Sequence, residues 1–141
     1  MWPCYFGTGV RIRYLADNFR ETRIDVPLSW RTRNYVGTIF GGSMYGSVDP
    51  VYMLMLMKNL GAKYEIWDKA ATISFKKPGR CTLHARFVLT DDEIRLVGEL
   101  CKNGPVDRSY FIDLTDDEGR VCATVEKIIH IRNKEPPAVG V

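Results

Sequence analysis

The chain has 141 residues, of which 45% are hydrophobic and 26% charged, which is typical of one globular domain. A net charge of +3 is too small for a typical nucleic-acid-binding protein, so no nucleic-acid partner is expected. No apolar run approaches the ~20 residues that span a bilayer, and the N-terminal sequence lacks a signal-peptide pattern, which predicts a cytoplasmic protein without a membrane span. The 4 cysteines lie far apart without a CxxC pair, which predicts reduced thiols and no zinc knuckle.

Two strands are predicted near the N-terminus. In GVRIRYLA, residues 9–16, apolar side chains alternate with arginines, which is the period of a half-exposed strand. TRIDVPL, residues 22–28, alternates in the same way. Because Pro27 has no N–H to donate, it places that end at a sheet edge or a strand terminus.

The segment NYVGTIFGGSMYGSVDP, residues 34–50, precedes the most apolar run of the chain, Val51–Met57. This run predicts a helix that ends at Gly61, and a helix that is apolar on every side must be covered on every side. By local rules alone, Asp49 is the N-cap of a helix that starts at Pro50, and the glycine-rich part before it is a loop.

A second interpretation of the same segment begins the helix near Gly42. Gly41 and Gly42 then present free N–H groups and the positive end of the helix dipole to an oxyanion. Asp49 would lie about two turns along this helix, as a general base or a nucleophile. Pro50 would kink the helix over Gly46, whose carbonyl would lose its hydrogen bond.

The second half of the chain predicts four strands with a short helix in the middle. Strand patterns start at residue 70 and at residue 83, and the turn KPGR joins them. TDDE, residues 90–93, reads as a capping box that opens the helix. Two strands, 109–115 and 121–131, follow across the turn DDEG. Lys127 interrupts the alternation of the last strand, which predicts a bulge near Glu126, and residues 133–141 read as a loosely ordered tail.

This order of elements predicts an α+β fold in one domain, residues 1–141, with its core in residues 10–132. An antiparallel sheet of about six strands would wrap around a long central apolar helix, because this covers the helix with the fewest elements. Such a sheet keeps edge strands, which proteins often protect by pairing into dimers.

One spaced motif resembles a known family. The pattern N-x5-FGG-x6-D, formed by Asn34, Phe40, Gly41, Gly42 and Asp49, resembles the N-x5-HGG-x6-D signature of hotdog-fold acyl-CoA thioesterases. ISFKKPGRCTLHARF, residues 73–87, is similar to their central strand, turn and returning strand. The resemblance covers residues 10–132, and the whole pattern is closer to a thioesterase-like branch of unknown function.

The resemblance implies a homodimer, often a dimer of dimers, that hydrolyses acyl-CoA with no cofactor besides the coenzyme A of the substrate. It implies that Gly41 donates to the thioester oxygen and that Asp49 is the base or nucleophile. Asn34, from the opposite subunit to Asp49, would hold the attacking water or the carbonyl. Further substrate-binding residues are expected at Phe40, Gly42, Ser43, Asp68, Lys76, Lys77 and Arg80.

Several of these assignments have alternatives in the sequence. The basic side chains of KKPGR could meet a phosphate or could be solvated strand ends. Asp68 could lie near the water or could pair with Lys69 or Arg80. Phe40 replaces the histidine of many relatives, and proline follows Asp49, so a non-catalytic acyl-CoA-binding protein is the alternative function. The only histidines, His84 and His130, fall in strand patterns, and no metal site is predicted.

Overall fold

Six strands form one antiparallel sheet in the computed structural model, which describes residues 2–135. The sheet order is β1-β2-β4-β5-β6-β3. The strands are β1 (Arg11–Leu15), β2 (Glu21–Val26), β3 (Tyr64–Phe75), β4 (Leu83–Val88), β5 (Val106–Thr115) and β6 (Val121–Asn133). Of the predicted tail, only residues 133–135 lie within the described part of the chain.

Four α-helices accompany this sheet within residues 2–135, and none of them is long and apolar enough to cross a membrane. The helices are α1 (Pro3–Phe6), α2 (Gly41–Val48), α3 (Val51–Leu60) and α4 (Asp91–Leu100), which continues into a 3-10 turn at Cys101–Asn103. The fold is therefore α+β, as predicted, but a pair of helices, α2 and α3, replaces the one long central helix that was expected.

The core lies between the helices and the inner face of the sheet. Leu56 of α3, Phe87 of β4 and Val125 of β6 are fully buried there. The ring of Tyr52 stands edge-on to Phe87, with the ring centroids 5.1 Å apart, and it stacks on Tyr110 at 4.9 Å. These aromatic contacts fix α3 on the sheet.

The expectation that the apolar run would be covered on every side is wrong for this protomer. Val51, Tyr52, Met55 and Leu56 are buried, whereas Met57 is 45% exposed. Met57 and the neighbouring Lys58 therefore lie on a side of α3 that stays exposed within residues 2–135.

Two strands differ from their sequence patterns because of their places in the sheet. β1 forms where predicted, but all five of its residues are exposed, since it is a terminal strand with a register shift between Ile12 and Tyr14. β3 begins at Tyr64, ahead of the predicted start at residue 70, because it pairs with β6 along its whole length.

Helix α4 starts at the predicted site with only half of a capping box. The hydroxyl of Thr90 accepts a hydrogen bond from the N–H of Glu93 at 3.1 Å. The carboxylate of Glu93 does not return to Thr90. It accepts hydrogen bonds from Arg108 and from the hydroxyl of Tyr110 on β5 instead, so it ties α4 to the sheet.

His84 of β4 lies between two carboxylates. One belongs to Asp25 on the neighbouring strand β2, and the other to Asp117 in the turn between β5 and β6. Its Nδ1 is 2.7 Å from Oδ1 of Asp25, and its Nε2 is 2.7 Å from Oδ1 of Asp117. Only the protonated ring donates from both nitrogens. The hydrogen bonds to Asp117 and Asp25 therefore raise the pKa of His84 above its ordinary value.

This raised pKa predicts a pH-dependent contribution to stability. A group with a higher pKa in the folded state stabilises the fold below its unfolded pKa of about 6.5 and loses that contribution as the pH rises through the folded pKa. His84→Gln should therefore lower the free energy of unfolding more at about pH 6 than at about pH 8. Urea unfolding of both proteins at the two pH values measures this, and an equal loss at both would contradict the assignment.

Candidate functional site

Helix α2 begins at Gly41, one residue before the start that the second interpretation of the glycine-rich segment predicted. The N–H groups of Gly41 and Gly42 have no acceptor within residues 2–135. A β-carbon built at Gly42 would lie 2.4 Å from Cε1 of Phe40, and one at Gly41 would lie 3.0 Å from Cζ of Phe75. The glycines therefore leave room for two aromatic rings, both more than half exposed, beside free backbone donors.

The chain stays helical across Asp49 and Pro50, although the hydrogen-bond ladder breaks there. Asp49 has φ −50° and ψ −54°, and Pro50 has φ −84° and ψ −9°. Pro50 has no N–H, and the carbonyl of Ser47 accepts a hydrogen bond from the hydroxyl of Tyr5 at 2.7 Å. The loop-and-cap interpretation is wrong, because residues 41–48 are helical and no side chain caps α3.

The carboxylate of Asp49 is held by two donors on one of its oxygens. The ammonium of Lys127, on β6, donates to Oδ1 at 2.6 Å, and the hydroxyl of Tyr45, one turn earlier in the helix, donates to the same oxygen at 2.9 Å. The side chain of Asp49 is 43% exposed, and its Oδ2 has no hydrogen-bond partner within residues 2–135. One oxygen is therefore fixed and the other is available.

Asp68 of β3 joins the same cluster from the edge strand. Its Oδ1 is 3.1 Å from Nζ of Lys127, but the two groups are not aligned for a hydrogen bond, so the contact is an ion pair. The expected alternative, a pair with Lys69 or Arg80, is wrong, because Lys69 binds Asp107 at 2.6 Å. Tyr45, Asp49, Asp68 and Lys127 together form what we call the Lys127 cluster.

Burial and ion pairing shift the pKa values of Lys127 and Asp68 in opposite directions. Burial alone would lower the pKa of Lys127, but its hydrogen bonds to Asp49 and Tyr45 and its pairing with Asp68 outweigh that effect and raise it. The pKa of Asp68 is also raised, first by burial and then by the charge of Asp49, in spite of the ammonium. Lys127 therefore stays protonated, and Asp68 is the carboxylate whose charged form the site disfavours.

Lys127 is the member of the cluster that the sequence analysis missed. No bulge occurs at Glu126. The inward alternation of β6 continues without a slip through Lys127, which is 1% exposed, and the register shift lies on β3 between Asp68 and Ala70. The sequence signal for Lys127 was a single cation in a row of inward-facing apolar residues. This pattern is typical of a buried charge with acidic partners and equally typical of a bulge.

Asn34 has a local structural role in this protomer. Its Oδ1 accepts hydrogen bonds from the N–H groups of Val36 and Thr38, and its Nδ2 donates to the hydroxyl of Thr38 at 2.9 Å. These bonds close the turn 34–38 that leads to α2. Within one protomer, Asn34 and Asp49 belong to separate groups of residues.

A cleft of about 410 Å³ lies at the start of α2. Predicted residues that line it are Asn34, Gly41, Lys76 and Lys77. The other predicted residues lie elsewhere. Arg80 lines a neighbouring cleft of about 240 Å³ with Lys77, Phe40 is exposed beside Gly42, and Ser43 is buried in α2.

Lys76, Lys77 and Arg80 are exposed, and none of them forms a salt bridge with a residue of the described range. Unpaired cations at the rim of a cleft can meet a phosphate group without first giving up a carboxylate partner. The predicted residues thus fall into three groups. These are the start of α2 with its cleft, the basic rim formed by Lys76, Lys77 and Arg80, and the Lys127 cluster.

Comparisons with known proteins agree with this fold. Residues 1–131 match the family described as Domain of unknown function (DUF4442). A search of curated proteins gave no match.

Solved structures with the same fold include thioesterase-like proteins and proteins of unknown function. A protein of unknown function from Pseudomonas aeruginosa, described as a probable thioesterase, has a TM-score of 0.77 at 20% identity, over 89% of this chain and 83% of that one. A protein of unknown function from Chlorobaculum tepidum has a TM-score of 0.76 at 14% identity, over 93% and 86%. A thioesterase from Haemophilus influenzae has a TM-score of 0.66 at 15% identity, over 92% and 82%. At these identities the likeness shows the hotdog fold.

Proposed function

We propose that this chain, which belongs to the DUF4442 family and has the hotdog fold of thioesterase-like proteins, is a thioester hydrolase that acts on acyl-CoA. The observation that carries the proposal is the arrangement along α2. Free backbone N–H groups stand at Gly41 and Gly42, and a carboxylate with one available oxygen stands at Asp49, about two turns along. Hydrolysis of an acyl group requires oxyanion donors and a base. Because the two lie ~11 Å apart along one helix, the donors of one copy would act together with Asp49 of the second copy.

The reaction would proceed through a tetrahedral intermediate. Oδ2 of Asp49 takes a proton from water while the water oxygen forms a bond to the thioester carbonyl carbon. The negative charge that develops on the carbonyl oxygen is stabilised by the N–H groups of Gly41 and Gly42. The C–S bond then breaks, and the proton on Asp49 passes to the departing thiolate. One water and one thioester give one carboxylic acid and one thiol, so the reaction balances without a cofactor.

The acyl-CoA assignment adds the basic rim to this chemistry. Lys76 and Lys77 line the cleft that begins at Gly41, and Arg80 stands next to it. Side chains without carboxylate partners at the mouth of the cleft suit the phosphates of coenzyme A, while the exposed rings of Phe40 and Phe75 suit an apolar acyl group.

A homodimer completes the proposal. Strand β3 is a terminal strand of 12 residues, and its outer edge has no partner within the described part of the chain. Long exposed edges favour pairing with another strand, and a second copy offers the same edge. Because Asp68 belongs to this strand, the Lys127 cluster lies close to the expected interface, where Asn34 of the second copy could approach Asp49.

One observation favours a second candidate, a non-catalytic acyl-CoA-binding protein. The ammonium of Lys127 lies 2.6 Å from Oδ1 of Asp49, so this carboxylate already has a charged partner inside the protein. In this alternative the fold and the cleft bind acyl-CoA, and Asp49 serves only as an ion-pair partner.

Steady-state hydrolysis of a series of acyl-CoA thioesters from acetyl to palmitoyl separates the two candidates. A thioesterase should release coenzyme A well above the uncatalysed rate for at least one chain length. Calorimetry with the same thioesters is the companion measurement. Tight binding without turnover would favour the binding protein, and neither binding nor turnover would contradict both.

A further inference from the structure

Lys127 is a buried charge whose neighbours on the strand are apolar. Its side chain is 1% exposed, and Val125 and Ile129, which face the same way on β6, are fully buried. An ammonium group in such a place loses its hydration, and this cost is recovered only by partners with good geometry. Opposite Lys127 on β3 stands Ala71, whose side chain has no polar group that could bind the ammonium.

The partners of this ammonium come from two separate elements. Asp49 and Tyr45 reach it from the helix, at 2.6 Å and 3.2 Å, and Asp68 reaches it from the edge strand, at 3.1 Å. The register shift next to Asp68 keeps its side chain on the inner face beside Lys127. Lys127 thus links the junction of α2 and α3, at Asp49 and Pro50, to the edge strand β3.

The two hydrogen bonds to Asp49 restrict its carboxylate to one orientation. A carboxylate with one donor can rotate about its Cβ–Cγ bond, whereas donors from Lys127 and Tyr45 to the same oxygen fix the plane of the group. Oδ2 is then the oxygen that remains available. The direction of Oδ2 is set by a residue on another element.

We propose that Lys127 is a positioning residue that holds Asp49 through Oδ1 and so presents Oδ2 to the water and the thioester carbonyl. The proposal rests on the proposed function, since it assigns Lys127 a role through Asp49. Tyr45 supports the same oxygen from within the helix. Asp68, 3.1 Å from the same ammonium, is a second acidic neighbour of Lys127 on the edge strand.

A purely structural ion pair and a positioning residue differ in how two substitutions combine. If Lys127 acts through Asp49, then removing Lys127 matters only while the Asp49 carboxylate is present. If Lys127 only stabilises the fold, its removal should cost the same activity in both backgrounds.

The test uses Lys127→Met and Lys127→Arg, each alone and with Asp49→Asn, in the full chain. Lys127→Met should lower kcat about 100-fold with an unchanged KM, because a misplaced base loses rate by about that factor. Lys127→Arg keeps a donor and a charge and should recover about 10-fold of that loss. In the Asp49→Asn background, Lys127→Met should cause no further loss. Lys102→Met, at an exposed lysine paired with Glu99, is the matched control and should retain full activity.

The contact between Lys127 and Asp49 can also be tested by a measurement that does not depend on turnover, so that it is judged separately from the proposed function. Proton–nitrogen NMR of the lysine ammonium groups should show a protected Lys127 signal that shifts in Asp49→Asn and in Tyr45→Phe. If the wild type hydrolyses no thioester but the signal shifts, the proposed function fails and the geometry stands. If Lys127→Met does not fold, Tyr45→Phe replaces it, with a smaller loss of kcat expected.

Two results would overturn the proposal. One is an equal loss of kcat from Lys127→Met with and without the Asp49 carboxylate. The other is a Lys127 ammonium signal that does not change when Asp49 becomes asparagine, since that would show that the two groups are not in contact in solution.

Discussion

Asp49→Asn should hydrolyse acyl-CoA about 10²- to 10⁴-fold more slowly than the wild type, which is the usual contribution of a general base. The amide has the size of the carboxylate but cannot take a proton from water. KM should change little, because the basic rim and the aromatic rings that we assign to substrate binding are untouched. The rate of coenzyme A release at saturating substrate measures the effect.

The fold should tolerate this substitution. Lys127 keeps its ion pair with Asp68 and its hydrogen bond to Tyr45, so the buried ammonium is not left without partners. Asp17→Asn, at an exposed residue of the turn between β1 and β2, is the matched control and should retain full activity. Equal rates for wild type, Asp49→Asn and Asp17→Asn would remove Asp49 from the chemistry.

Phe87→Ala should lower the free energy of unfolding by about 3–5 kcal/mol, the range for removing a buried phenylalanine. Phe87 is fully buried, and Tyr52 of α3 packs edge-on against it. The substitution would leave a cavity under α3 and remove that aromatic contact. Domains of this size have a total stability of about 5–15 kcal/mol, so the loss is a large share of it.

Urea unfolding measures this loss as a lower midpoint with an unchanged slope. Phe111→Ala is the control, because Phe111 of β5 is 61% exposed and its removal should cost less than about 0.5 kcal/mol. Similar losses for the two phenylalanines would contradict the packing of α3 on β4.

The strands and helices were predictable where local signals agree. Alternating side chains indicated β1, β2 and β4, and Thr90 marked the start of α4 at its observed position. The spacing of Gly41 and Asp49 indicated a helix that begins ahead of Pro50, against the local rule for proline. Local rules favoured a start at Pro50 because proline is common at the first helical position and cannot bond the carbonyl of Gly46. They do not include tertiary contacts such as the hydroxyl of Tyr5, which donates to the next carbonyl, of Ser47.

The Lys127 cluster was not predictable, for a different reason. Lys127 and Asp49 are 78 residues apart, and they meet only because β6 and the helix break pack face to face. In sequence, a lysine in an apolar strand fits a bulge and a buried ion pair equally well. The partner of Asp68 was misassigned for the same reason: Lys69 is its neighbour in the chain, but Lys69 pairs with Asp107 of β5 and Asp68 pairs with Lys127 of β6.

Of the site residues implied by the resemblance, Gly41 has a suitable geometry within one protomer, whereas Asn34 does not. Gly41 stands at a helix start with a free donor, as the assignment requires. Asn34 uses both ends of its amide in its own turn, so a role toward substrate would need one of these hydrogen bonds to be exchanged. Its assignment depends on the second subunit.

The structure of the protein with a non-hydrolysable thioether analogue of acyl-CoA tests the central claim most directly. We expect the carbonyl oxygen of the analogue within hydrogen-bond distance of the N–H groups of Gly41 and Gly42. Oδ2 of Asp49 should face the carbonyl carbon, directly or across one water. An analogue whose carbonyl binds away from α2, with Oδ2 of Asp49 remote from it, would contradict the account.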